Sequence, residues 1–242
     1  MIITSKDNEN VKLFKKIASD RKFRAQNGLF ALEGFRLIAD SAVPFHSVFY
    51  TGKYAESIKD IKSERYFEIS ETVAEKISDT KSPQGVFALA KIPEREIKAQ
   101  GKLVVLCGLS DPGNIGTIIR TADALGVSGI FAADCADIYS PKTTRAAMGA
   151  LLRANIEVCG IQNVFEKLAD CEKYAAVARS GAAKLGSFPF PENAAVFIGN
   201  EANGLPDEIV KNCKSITIPM GGNAESLNAA AAASILIYEL TK

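Results

Sequence analysis

Histidine is scarce in this chain, since His46 is the single one, and the cysteines are dispersed. No two cysteines have CxxC spacing, so a zinc site is not expected and we predict no bound metal. An odd, scattered set of thiols argues against a disulfide framework and favours a reducing, cytoplasmic location. We assign His46 a structural or surface role. The cysteines are Cys107, Cys135, Cys159, Cys171 and Cys213.

The chain also has little net charge and no long apolar run. Its 29 Lys and Arg residues against 28 Asp and Glu leave a net charge of +1, so any basic surface has to be local. No stretch approaches membrane-spanning length, and the first six residues do not resemble a signal peptide, so we expect no membrane partner. A length of 242 residues with ordinary hydrophobic content favours two folded domains.

Residues 1–92 are predicted to form a small α/β domain. A basic helix over residues 5–24 carries seven basic side chains against three acidic ones. A solvated helix face and a phosphate-binding surface explain this charge equally well. The candidate RNA contacts are Lys15, Lys16, Arg21, Lys22 and Arg24. Further predicted strands are Leu29–Leu32, Ser47–Tyr50 and Val86–Ala90, with helices at Gly34–Ser41 and Ser70–Ile77.

The segment Lys91–Gly101 contains charged residues and a proline and ends in glycine, which is typical of a linker. Within this segment we assign residues 93–101 to the linker between the two domains. From Lys102 to Lys242, apolar strands alternate with amphipathic helices, which predicts a parallel sheet covered on both faces. The predicted strands are Leu103–Cys107, Gly129–Ala132, Asn155–Val158, Tyr174–Val177, Ala194–Ile198 and Ser215–Ile218. The predicted helices are Ile115–Leu125, Thr143–Leu152, Val164–Leu168, Glu208–Asn212 and Leu227–Leu240.

Three polar, glycine-containing loops follow three of these strands: residues 108–116, 199–204 and 219–226. Ligands of open parallel sheets bind outside the carboxyl ends of the strands, so these loops can form one pocket if their strands are neighbours. Neither GxGxxG nor GxxxxGK[ST] is present, which argues against dinucleotide and P-loop sites. A nucleoside without phosphates needs backbone hydrogen bonds and an apolar floor, which Gly199, Ile218, Met220 and Leu227 can supply.

The three loops resemble the motifs of the SpoU/TrmH family of RNA 2′-O-ribose methyltransferases. The first resembling segment is Asp111–Ala122, the second is Gly199–Leu205, and the third joins Ile218–Met220 to Ser226–Ala230. Ser140–Lys142 with Met148–Ala150 is similar to the family's connecting segment. The family often has Val-Ser where this chain has Ala229-Ala230, which predicts the loss of one hydrogen bond in the pocket.

This resemblance implies a C-terminal α/β methyltransferase domain with a trefoil knot, preceded by a ribosomal-protein-like substrate-binding domain. It further implies S-adenosylmethionine as the methyl donor, RNA as the partner, and a homodimer formed through the C-terminal domain. Ribosomal RNA is favoured over transfer RNA because of the front domain. Asn200 joins the four apolar-floor residues as a predicted donor contact.

The resemblance assigns catalytic roles to Arg120, Asn114, Glu201, Ser226 and Asn228. A guanidinium is normally protonated, so Arg120 is expected to position the ribose and stabilise the emerging alkoxide. Its structural alternative is a surface ion pair with Asp123. For Asn114 and Ser226 the structural alternative is helix capping. Glu201 is expected to orient Arg120 through a bidentate ion pair, and its structural alternative is an ordinary exposed loop carboxylate.

The predicted function is therefore methyl transfer to a ribose 2′-hydroxyl of structured RNA. A base methyltransferase of the same superfamily is one alternative. A non-catalytic RNA-binding or assembly protein on this fold is another.

Overall fold

The computed structural model describes residues 2–179 and 181–242, and the chain divides into two compact units. The first unit contains the chain up to Glu94 together with Tyr139–Leu152. The second contains Arg95–Ile138 and Arg153–Lys242. This division differs from the contiguous domains predicted from the sequence. Among the described residues, no helix is both long enough and apolar enough to cross a membrane.

The first unit is built on a four-stranded mixed sheet in the order β1-β4-β2-β3. Strand β4 runs antiparallel to β1 and β2, while β2 and β3 are parallel. Its elements are α1 (Glu9–Ser19), α2 (Arg21–Asn27), β1 (Leu29–Glu33), α3 (Phe35–Ala39), β2 (Ser47–Tyr50), a 3-10 turn (Gly52–Tyr54), β3 (Tyr66–Glu68), α4 (Glu71–Ile77) and β4 (Val86–Lys91). Phe14 of α1 packs edge-on against Phe49 and Phe87 of the sheet.

The predicted helix over residues 5–24 is two helices, which separate at Asp20. Asp20 adopts an extended backbone, and its carboxylate accepts a hydrogen bond from the Phe23 N–H at 3.0 Å, so it caps α2. That hydrogen bond lowers the pKa of Asp20. Gly28 then ends α2 in the left-handed region at φ 59°. Basic residues occur on both sides of this break, so the charge pattern predicted a single helix.

The second unit contains a seven-stranded parallel sheet in the order β7-β6-β5-β10-β8-β11-β9. Strands β5, β6 and β10 are buried almost throughout, as expected for parallel strands covered on both faces. The remaining elements follow in chain order: β5 (Lys102–Cys107), α5 (Pro112–Ala124), β6 (Gly129–Ala133), α6 (Pro141–Ala147), α7 (Ala150–Arg153), β7 (Ile156–Cys159), α8 (Ile161–Lys167), β8 (Glu172–Ala176), β9 (Ala183–Lys184), β10 (Ala194–Ile198), α9 (Asp207–Lys211), β11 (Lys214–Thr217) and α10 (Ala229–Thr241). Of these, α6 and nearly all of α7 belong to the first unit.

The segment predicted as a linker is packed over part of its length. Ile97 is buried in the core of the second unit. The guanidinium of Arg95 donates to the carbonyl of Arg153 at 2.7 Å and also to that of Ala154. Charge and a proline indicated an exposed connection, but these hydrogen bonds attach residues 95–97 to the second unit.

Residues 139–152 were predicted as part of the second domain, with one helix over Thr143–Leu152. The structure instead has two short helices, because Met148 between them adopts φ 52°. The Tyr139 ring lies 5.0 Å from that of Phe30 in β1, and Arg145 forms an ion pair with Asp79 at 2.7 Å. These interactions place the segment in the first unit.

Candidate active site

The polar loops after β5 and β10 and the cap of α10, which follows the β11 loop, are joined by a chain of side-chain hydrogen bonds. Asn200 donates to the carbonyl of Gly108 at 2.8 Å. Glu201 accepts from the Asn114 amide at 2.9 Å and from the Ser110 hydroxyl at 3.3 Å. The loops meet even though β11 is separated from β10 by β8.

Asn114 occupies the middle of this network. Its amide nitrogen donates to Glu201, and its carbonyl oxygen accepts from the Asn228 amide at 3.1 Å. Helix capping, the alternative to a catalytic role for Asn114, is wrong because Asp111 is the N-cap of α5 and accepts from the Asn114 backbone N–H. The cap is completed by Pro112 in the first turn. The Asn114 side chain is therefore available to the site.

Asn228 connects the network to α10. Its side-chain oxygen accepts from the N–H groups of Ala230 and Ala231, at 2.9 and 3.3 Å, so Asn228 is the N-cap of this helix. Helix capping, the alternative to a catalytic role for Ser226, is wrong because Asn228 occupies the cap position. Ser226 instead lines the neighbouring cavity.

Glu201 is held as a carboxylate. Partial burial opposes its ionisation, but hydrogen bonds from Asn114 and from backbone N–H groups outweigh burial and lower the pKa of Glu201. A carboxyl with a lowered pKa is negatively charged at neutral pH. The site therefore presents a fixed negative charge beside the Asn114 amide.

A cavity of about 480 Å³ opens beside Glu201. All five residues that were predicted to contact the methyl donor line this cavity: Gly199, Asn200, Ile218, Met220 and Leu227. Met220 and Leu227 are large apolar side chains that remain 39% and 38% exposed. An apolar floor with polar and charged side chains around it is typical of a small-molecule site.

The end of β8 contributes a part of the cavity that the sequence analysis missed. Residues 176–179 line it between the β10 and β11 loops. No glycine-rich motif follows β8 directly, so the sequence pattern did not indicate a binding loop. The position of β8 between β10 and β11 was the missing information.

Gly199 permits the tight turn at the cavity wall. A Cβ atom at this position would lie 2.3 Å from the carbonyl carbon of Gly204. The backbones of Asn200 and Gly204 exchange two hydrogen bonds, of 3.1 and 2.9 Å, which close the turn. Only glycine fits this approach without moving the loop.

Arg120 lies on an exposed face of α5, six residues or about 1.7 helical turns beyond Asn114. Its alternative role as a partner of Asp123 is wrong, because Asp123 pairs with Arg153 at 2.6 Å. The predicted bidentate pair with Glu201 is also not formed, since that carboxylate accepts from Asn114 and Ser110. Within residues 2–179 and 181–242, the Arg120 guanidinium has no ion pair.

Four of the five predicted RNA contacts lie on exposed surface: Lys15, Lys16, Arg21 and Lys22. The fifth, Arg24, is 4% exposed and donates to the carbonyls of Ile17 and Ala18 at the end of α1. Its assignment as an RNA contact is therefore wrong. Arg24 satisfies carbonyl groups that the end of α1 leaves open.

The cysteines are free thiols. Burial raises the pKa of each of them, in the case of Cys213 to about 11, so they are protonated at neutral pH. In the described part of the chain, no cluster of three or more His, Cys, Asp or Glu side chains could hold a metal ion. The cytoplasmic location stays a prediction.

The sequence model described as the SpoU rRNA Methylase family matches residues 101–238. This chain belongs to the SpoU methylase family. A second model, the MRM3-like substrate binding domain, matches residues 8–88. The first match agrees with the resemblance drawn from the three motifs, and the second agrees with the predicted substrate-binding domain at the front of the chain.

Relatives of the family align along nearly the whole chain. The 23S rRNA (guanosine(2553)-2′-O)-methyltransferase RlmP of Bacillus subtilis is 30% identical, with 98% of each chain covered. The AdoMet-bound rRNA methyltransferase of Sinorhizobium meliloti superposes with a TM-score of 0.87 at 27% identity, covering 99% of this chain and 97% of that one. The SpoU methyltransferase AviRb of Streptomyces viridochromogenes, in complex with AdoMet, has a TM-score of 0.85 at 25% identity, with 97% of each chain covered.

Proposed function

We propose that this protein transfers a methyl group from S-adenosylmethionine to a ribose 2′-hydroxyl of structured RNA, with ribosomal RNA as the preferred substrate. The observation that supports the proposal is a cavity lined by residues of the second and third motifs and bordered by the hydrogen bonds among Asn114, Glu201 and Asn228. RlmP, which is similar along the whole chain, is named for this reaction on 23S rRNA.

The residues of the cavity fit S-adenosylmethionine. Its volume of about 480 Å³ lies within the usual range for small-molecule sites, roughly 300–1,000 Å³. Ile198, Ile218 and Leu227 provide apolar surface for the adenosyl group, and the Glu201 carboxylate suits a neighbouring sulfonium. The bound donor supplies an electrophilic methyl group.

The reaction is an in-line displacement by the ribose oxygen. The bond from the 2′-oxygen to the methyl carbon forms as the bond from that carbon to sulfur breaks, and the 2′-hydroxyl proton passes to solvent. Arg120 holds the ribose and stabilises the negative charge on its oxygen, because a protonated guanidinium donates hydrogen bonds. Asn114 and Asn228 fix the position of the loops around the reacting groups.

A homodimer formed through the second unit is part of the proposal. Helices α5 and α10 pack side by side, with a distance of 3.3 Å between the hydroxyl groups of Thr121 and Ser234. Ile235 and Tyr238 of α10 are 42% and 59% exposed, and Arg120 lies on the exposed face of α5. The trefoil knot and the ribosomal-protein-like fold of the first unit belong to the same proposal.

Nucleoside mass spectrometry of RNA methylated by the purified protein tests the function. We expect 2′-O-methyl nucleosides, whereas base-methylated products would favour the alternative enzyme, and no product together with no donor binding would favour a binding protein. Comparing ribosomal and transfer RNA from cells with and without the gene identifies the substrate. Arg120→Ala should abolish nearly all turnover and retain donor affinity, while the control Arg153→Ala, outside the cavity, should retain both.

A further inference from the structure

Among the described residues, the cavity lining has more carboxylates than cationic side chains. Two carboxylates line it, Glu201 after β10 and Asp207 at the start of α9. Within the described residues, Arg179 is the one cationic side chain that lines it. S-adenosylmethionine carries two positive groups, the sulfonium and the ammonium, and one carboxylate. The lining therefore has the complementary set of charges.

Arg179 lines the cavity just beyond the end of β8. It follows β8 by three residues, and its segment stays beside β11 because the Val177 N–H donates to the Ile216 carbonyl at 2.9 Å. Its guanidinium donates to the Ser215 hydroxyl of β11 at 3.4 Å. Glu201 follows β10, on the other side of β8. Strand β10 pairs directly with β8 in parallel, so Glu201 and Arg179 follow adjacent strands at the same edge of the sheet.

The guanidinium of Arg179 is available to an anion. In the part of the chain that the structure describes, no carboxylate pairs with it, and the side chain is exposed. Arginine presents several N–H donors in a planar group, so the one bond to Ser215 leaves donors for a carboxylate.

We infer that Arg179 binds the carboxylate of the methionine part of the donor and so selects donors that carry it. This inference rests on the proposed function and names a donor-binding residue outside the three family motifs. The methionine carboxylate would then be held by Arg179, which leaves the Glu201 carboxylate for the sulfonium. Arg179 is then a binding residue whose replacement acts on the donor and leaves RNA binding in place.

Isothermal titration with two ligands tests this assignment: S-adenosylmethionine and decarboxylated S-adenosylmethionine, which differ by the carboxylate alone. We expect the unmodified protein to bind the first at least about tenfold more tightly, since charge-assisted hydrogen bonds are among the strong ones. Arg179→Gln should reduce this preference to about threefold or less by weakening the first ligand, with the second bound as before or more tightly. Arg179→Lys should keep part of the preference, and the control Arg153→Gln all of it.

The outcomes separate this inference from the proposed function. An unmodified protein that binds neither ligand would contradict both. Tight binding of S-adenosylmethionine with an unchanged preference in Arg179→Gln would overturn only the role of Arg179. Equal weakening of both ligands would likewise overturn it, because it would mean that Arg179 supports the shape of the cavity.

Discussion

Asn228 has two roles that substitution can separate. It caps α10 through its side-chain oxygen and donates its amide to Asn114. Asn228→Ser should keep the cap and lose the amide, because serine caps helices about as well as asparagine. Asn228→Ala should lose both. We expect the alanine variant to be less stable by about 1 kcal/mol and the serine variant to be nearly unchanged.

Both Asn228 variants should lose turnover at least tenfold, roughly the effect of about 1.4 kcal/mol at the transition state. Urea unfolding measures the stability and a methyl-transfer assay the turnover. Normal turnover in the serine variant would show that the hydrogen bond to Asn114 is irrelevant to the reaction.

The motifs identified the residues of the network but not the role that each one has. Asp111, Asn114, Ser226 and Asn228 all belong to residue types that cap helices, so cap propensity alone could not decide between neighbours. The burial of Arg24 was equally hidden. It depends on how α2 turns back towards α1 after Asp20, which a pattern of charges does not specify.

At the scale of elements, the tight turn after β10 should determine donor affinity. Gly199→Ala would place a methyl group 2.3 Å from the Gly204 carbonyl carbon, so the loop has to shift. We expect a loss of donor affinity of tenfold or more, or about 1.4 kcal/mol. Gly160→Ala is the matched control, because no atom lies within 4 Å of its added Cβ and Gly160, at the start of α8, does not line the cavity. Calorimetric titration compares the two, and equal affinities would refute this role of the turn.

The basic helices should separate into a structural and an RNA-binding part. Arg24→Ala leaves the Ile17 and Ala18 carbonyls without their donor and should destabilise the protein by about 2 kcal/mol. Replacing Lys15, Lys16 and Lys22 with alanine should leave stability nearly intact. The triple variant should bind RNA more weakly. The slope of log binding constant against log salt concentration should also become less steep, by about 0.7 to 0.9 for each phosphate that the lysines no longer neutralise. Unchanged RNA affinity in the triple variant would exclude this surface.

The strands of the second unit were largely predictable, because continuous apolar runs bounded by polar loops leave few alternatives. The order of the strands was not. It places β8 between β10 and β11 and so makes residues 176–179 part of the cavity. The short strands β3 and β9 escaped prediction because three and two residues carry no periodic pattern.

For the whole molecule, the exposed face of α10 predicts the oligomeric state. Ile235→Glu should convert a dimer into monomers, because a charge would be placed in an apolar interface. Val158→Glu is the control, since Val158 is 56% exposed on β7 and outside this face. Light scattering after gel filtration should give twice the chain mass for the unmodified protein and for the control. A monomeric unmodified protein would contradict the proposed dimer.

Residues 139–152 join the first unit although β5, α5 and β6 of the second unit precede them in the chain. Protein synthesis proceeds from the N-terminus, so the ribosome has already released two strands of the parallel sheet before the last part of the first unit exists. The two units cannot then mature strictly one after the other. For the same reason, no single cut in the polypeptide yields two intact halves, and a fragment that ends at Glu94 would leave β1 without the packing of α6.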